Sequence, residues 1–176
     1  MDAQHFLDTV TFEMRRTKQL GEKAMAQIDE HQFHWRSDDE ANSVAIYIQH
    51  LHGNMMSRWI DFLTTDGEKL TRKRDEEFEP HPRSRDELMR LWEQGWACCL
   101  TALEALKPSD LDKTVTIRGE PLSVIHALTR QISHYGYHVG QIVVLCRQLK
   151  GVPFKSLSTP RGRSKDAKGD YLKQAK

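Results

Sequence analysis

Apolar residues recur at intervals of three and four along four long stretches of this chain, a period that suits amphipathic helices and not strands. In the first, about 3–28, Phe6, Leu7, Val10, Met14, Thr17, Leu20, Ala24 and Ile28 fall on one helical face. The second predicted helix opens behind Asn42 or Ser43, whose short side-chain oxygens can accept the free amides of a first turn. Val44, Ile48, Leu51, Met55, Trp59 and Phe62 carry it to about Thr64. Ser84-Arg-Asp-Glu87 reads as a capping box for the third, which continues through Leu88, Leu91, Trp92, Trp96, Cys99, Leu100, Leu103 and Leu106 to Lys107. The fourth spans about 122–150, with Pro121 expected in its first turn and Gly151 and Pro153 stopping it. Trp59, Trp92 and Trp96 sit at core spacing, Trp35 does not, and Cys98 and Cys99 face about 100° apart, so at most one is fully core.

The connections are uneven. Residues 31–40 break the period. Residues 65–83 contain Asp66-Gly67 and two prolines and read as a surface loop, longer than most connections in compact domains, which favours a functional or interface role. TVTIRGEPL, 114–122, alternates like an extended loop or small hairpin. Four amphipathic helices without a convincing sheet predict an all-α fold, a four-helix bundle over residues 1–152, either up-down or with crossover connections. Residues 153–176 are basic, polar and aperiodic and are expected to form a flexible tail.

Composition narrows the function classes. A chain of 176 residues suits one domain, and a formal net charge of +1 gives no global reason to expect nucleic acid or an anionic membrane. No apolar run approaches the roughly 20 residues of a membrane span. The opening MDAQHFLDTVTFEMRR is an acid-containing amphipathic pattern, unlike a signal peptide. The three cysteines, two of them adjacent, fit no disulfide framework. A reduced, cytoplasmic protein is expected. Lys155, Arg161, Arg163, Lys165 and Lys168 alternate with Asp166 and Asp170, which suits a solvated tail better than a nucleic-acid arm.

Within the fourth helix, QISHYGYHVGQIVVL places His134 and His138 four residues apart. Residues at i and i+4 share a face with Cβ atoms about 5–6 Å apart, so two imidazoles can reach one divalent ion, leaving a third ligand to come from a facing helix. The same spacing also suits two hydrogen-bonded histidines on a groove flank. The second helix offers His50 and His52 as third ligands, and its apolar period leans towards His52. His126 faces about 80° away from His134 and is read as an ordinary polar residue. Tyr47, Asn54, Asp61, Tyr135 and Gln141 lie near the histidines in sequence, but none stands out as their partner.

The pattern His134, His138, Gly140, Gln141, Ile142, together with NSVAIYIQHLHGNMMSRWIDFLTTDGEK, RDEEFE and FKSLSTPRG in this order, resembles the DinB-like superfamily. Its members are metal-binding four-helix bundles related to bacillithiol- and mycothiol-dependent enzymes, and the likeness is to a bacterial subfamily of unknown function. The resemblance implies a crossover bundle, a homodimer, and a three-histidine site for zinc or nickel, with iron or manganese also accommodated. The family's first ligand follows the helix-opening Ser by seven residues, which from Ser43 gives His50. His50, His134 and His138 are therefore the expected metal ligands, with His52 the alternative. A metal-dependent thiol transferase or hydrolase acting on a small molecule or low-molecular-weight thiol is the implied function; a non-catalytic metal-binding or dimeric interaction protein is the alternative.

Overall fold

A computed structural model describes residues 2–167 and shows a mostly helical chain with one two-stranded sheet. The helices are α1 (Ala3–Met25), α2 (Glu30–Phe33), α3 (Val44–Trp59), α4 (Arg85–Ala105) and α5 (Val124–Lys150), with strands β1 (Thr114–Ile117) and β2 (Glu120–Ser123) between the last two helices. Helix α1 lies along α5 and α3 along α4, while α1 also touches α4 and α3 touches α5. Their inner faces meet in one apolar core that includes Met14, Met55, Leu88, Trp92, Trp96, Leu128 and Tyr135. Trp59, Trp92 and Trp96 are buried as their spacing predicts, Cys99 is core and Cys98 is half-buried. Trp35 is exposed.

Local chemistry sets the helix starts. Ser43 Oγ accepts the Ile46 amide, and Ser84 with Glu87 closes the predicted capping box. Three expectations need correcting. Helix α3 stops at Trp59, because Ile60 is extended and Asp61 adopts a left-handed φ of 52°; Phe62 is still buried, but from a turn. Pro121 does not open α5: it lies in β2 opposite Thr116, and Ser123 caps the helix by accepting from the His126 amide. Residues 31–40 are not wholly irregular, since Asp29 and Gln32 form a capping box around the single turn of α2.

The hairpin turn passes through Arg118 and Gly119, both with positive φ, and Asp66 fastens it to the long loop. Its Oδ1 accepts the Arg118 and Glu68 amides and its Oδ2 the Gly119 amide, which together hold the carboxyl down at about 2. After α5, Gly151 with φ 68° ends the helix. Phe154 is then buried beneath Arg147, and Lys155 exchanges backbone hydrogen bonds with the Gln27 side chain, so the segment after α5 begins by docking on the turn that follows α1. Residues 168–176 of the expected tail lie outside the described residues. No helix among the described residues is long and apolar enough to cross a membrane.

Candidate metal centre

Helices α3 and α5 carry the histidines, and a buried polar clasp fixes their spacing one turn away. Tyr135 Oη donates to Asn54 Oδ1 at 3.1 Å and accepts from Trp59 Nε1 at 2.8 Å and Gln131 Nε2 at 3.2 Å, while Gln131 also donates to Asn54. One donor and two acceptor sites are thereby filled on a fully buried hydroxyl, so little freedom remains for α5 to slide or turn against α3. Asn54 lies four residues after His50, and Gln131 and Tyr135 flank His134.

In this frame His50, His134 and His138 converge. Each can turn one ring nitrogen towards a common point so that all three atoms lie within 4.8 Å of one another. His50 Nε2 is 3.3 Å from His134 Nε2, which is 3.1 Å from His138 Nε2. Their planes cross at 71° to 87°, so the rings meet at their nitrogen edges and do not stack.

Proton placement shows what such a centre lacks. His50 Nδ1 is 2.9 Å from Glu77 Oε2, an acceptor only, so the ring proton sits on Nδ1 and Nε2 presents a lone pair. His138 Nδ1 donates to Gln141 Oε1 at 3.0 Å, which leaves its Nε2 bare in the same way. His134 Nε2 faces both lone pairs, and its Nδ1 is buried with no protein partner. A second proton on His134 or His138 is disfavoured. Burial first, and then the neighbouring imidazoles, push His134 down to about 3; burial and His50 push His138 down to about 4. A divalent cation satisfies all three lone pairs at once. Three tetrahedral bonds of about 2.0–2.1 Å separate nitrogens by about 3.3 Å, close to the two separations from His134 Nε2. The three-histidine group could hold a metal ion.

Around it lies a second layer that the sequence did not disclose. Arg72 grips Glu77 with two hydrogen bonds of 2.7 Å, from Nε to Oε1 and from Nη2 to Oε2, and reaches Glu68 through Nη1 at 3.1 Å. Burial opposes a charge on Glu77, but Arg72 and His50 outweigh it and hold the carboxyl below the usual range. The Arg72 and Glu77 side chains are only 4% and 9% exposed, so this run of side chains, Glu68, Arg72, Glu77, His50, lies largely out of water. Both residues come from the 65–83 loop. Gln49 secures that loop by donating to the Glu77 and Glu79 carbonyls. Gly53 gives it room: a Cβ there would stand 2.2 Å from Glu77 Oε1. Phe78 covers the His50 ring at 4.6 Å, and Tyr47 and Tyr137 flank His138 at 5.6 and 4.9 Å.

The other sequence candidates fall elsewhere. His52 is on a different flank of α3, lining a separate cavity, with its pKa lowered by burial. The apolar period leaned towards it because α3 is buried nearly all round, so no single stripe marks the side that faces α5. His126 is exposed at the start of α5. Asn54 and Tyr135 build the clasp, Asp61 ends a helix, and Gln141 bonds His138 and not a neighbouring helix.

All of these residues fall inside a match, over residues 2–163, to a family described as Protein of unknown function (DUF1572). The chain belongs to that family. No curated protein matches the sequence. Membership in DUF1572 names no reaction.

Proposed function

We propose that this DUF1572 protein is a DinB-like four-helix bundle in which His50, His134 and His138 hold one divalent metal ion, and that it is a metal-dependent enzyme of the thiol transferase or hydrolase class. One observation carries the reading: three imidazole Nε2 atoms converge while the Nδ1 protons of His50 and His138 are directed outward, to Glu77 and Gln141. An outer hydrogen bond of this kind fixes the tautomer and orientation that a metal ligand needs. The family resemblance carried by Ser43–His50 and His134–Ile142 supports the same set.

When bound, a divalent ion held by three neutral imidazoles is a Lewis acid that lowers the pKa of a water or thiol it takes up. Zinc and nickel suit three nitrogens best in the family resembled; the donor set also admits iron or manganese. The chain's own residues supply the rest. Glu77, kept ionised by Arg72, holds the proton on His50 Nδ1 and makes that imidazole a better donor. Gln141 does the same for His138 through its oxygen and bonds Tyr137 Oη through its nitrogen at 3.3 Å. Tyr137 is 64% exposed, so its hydroxyl stands at the rim with a proton free to donate to a substrate oxygen. Phe78 and Tyr47 keep water from the sides of the cluster. A small electrophile or ester with a low-molecular-weight thiol or water as co-substrate, and a homodimeric state, complete the reading.

Elemental analysis of untagged full-length protein tests it. About one equivalent of zinc or nickel is expected, lost in His134→Ala and retained in His52→Ala. Metal content near zero in the parent protein, or content unaffected by His134→Ala, contradicts the site. With metal present, turnover of model esters or of thiol conjugations that stops on chelation supports the enzyme; its absence across such a panel favours a metal-binding protein without catalysis.

A further inference from the structure

Beyond Glu77, on the side away from His50, the 65–83 loop arches over α3 and encloses a cavity of about 920 Å³, within the size range of sites for small organic molecules. None of the three clustered histidines lines it. Its apolar wall is Met56 and Leu91, half-buried, with Ile60 and Leu70 exposed at the rim.

The cavity is built and not a loose flap. Ser57 Oγ donates to the Gly67 carbonyl and accepts the Lys69 amide, at 3.0 and 2.9 Å. Gly67 N donates to Thr116 O at 2.8 Å, and Asp66 holds the hairpin turn. At the far end Gln49 holds the backbone of Glu77 and Glu79. The roof is therefore tied to α3 at both ends and to the hairpin.

The charges in the lining are unevenly matched. Every carboxylate is already held: Glu68 and Glu77 by Arg72, Glu76 by Lys73, and Asp66 by three backbone amides. Lys69 and Arg83 are not held by any. Lys69 Nζ donates to Thr65 Oγ1 and the Asp66 carbonyl, and Arg83 to Gln49 Oε1, all neutral oxygens. Two cations without a carboxylate in contact, beside an apolar wall that reaches the surface, have a chemical complement.

We infer that this cavity is a second ligand site, separate from the three-histidine centre, for an elongated apolar molecule bearing a carboxylate or similar anionic end. Met56, Leu91, Ile60 and Leu70 take the apolar body, and the anion lies at one end of it, on Lys69 beside the Ser57 anchor or on Arg83 beside Gln49. The site stands on the cavity and its cations and does not depend on metal at the histidines.

Isothermal titration of the full chain with octanoate, and with octanamide as its uncharged counterpart, tests the inference. Saturable one-to-one binding is expected, about tenfold tighter for the acid, as a charge-assisted hydrogen bond implies. Lys69→Met with Arg83→Met is expected to remove the preference for the acid. Leu70 is fully exposed, so Leu70→Glu leaves folding intact while placing a like charge at the rim; it is expected to weaken octanoate about tenfold. Titrations run with chelator and with one equivalent of zinc separate this site from the histidines. Binding that requires zinc and disappears in His134→Ala would put the acid at the metal and overturn the inference. So would equal affinity for acid and amide, no effect of Leu70→Glu, or no saturable binding.

Discussion

At the scale of single residues, Glu77 is the side chain on which the centre most depends beyond the histidines themselves. It is anionic, buried, gripped by Arg72 and bonded to His50 Nδ1, so it sets both the tautomer and the basicity of that imidazole. Glu77→Gln keeps the size but loses the charge and the two-oxygen grip of Arg72. Zinc affinity, measured by competition against a chromogenic chelator, is expected to fall about 10- to 100-fold; an unchanged affinity would show that His50 needs no such partner. The histidines were legible in the sequence because i, i+4 spacing is a property of the helix itself, and because the Ser43–His50 interval follows a recognisable pattern. Glu77 was not. In RDEEFE, Asp75, Glu76, Glu77 and Glu79 are chemically alike, and only the fold of the loop decides which one reaches across Gly53. Arg72 is hidden for the same reason, among Lys69, Lys73 and Arg74.

At the scale of elements, the 65–83 loop is a structural wall of the centre and not mere linkage. Its length and polarity read as a surface loop, with a functional or interface role favoured, whereas its buried ions and its seat on α3 could not be read, because neither has a period. The four long helices were legible, since each buries a recurrent face. Their ends were less so: nothing in IDFLTT interrupts the apolar pattern, yet Asp61 adopts a left-handed φ and the chain turns away after Trp59. The hairpin shows in the sequence only as β-branched alternation in TVTIRGEPL, and Pro121 reads as helical because its first-turn preference is the stronger local signal. Gly53 tests the loop's attachment. Gly53→Ala favours the helix by intrinsic propensity, by about 1 kcal/mol, but sets a methyl against Glu77. The clash is expected to prevail, raising hydrogen exchange in residues 68–79 and lowering stability by about 1–3 kcal/mol. A more stable variant with unchanged exchange would show that the loop does not depend on this contact.

At the scale of the whole molecule, the packing of α1 on α5 and α3 on α4 brings two helices, distant in sequence, into fixed register, and the register places three nitrogens around one point. The clasp of Asn54, Trp59, Gln131 and Tyr135 is the internal reference for that register. Three converging imidazoles, two of them with their outer nitrogens occupied by acceptors, are a poor arrangement for an apolar core and a good one for a cation. Three histidines sharing one metal are the centre's defining feature. X-ray absorption at the zinc edge, on full-length protein loaded with one equivalent of zinc, tests it most directly. The expected spectrum shows three imidazole nitrogens at about 2.0–2.1 Å, a shell that His134→Ala no longer shows. A shell of oxygens without imidazole scattering, or a spectrum that His134→Ala leaves unchanged, would contradict it.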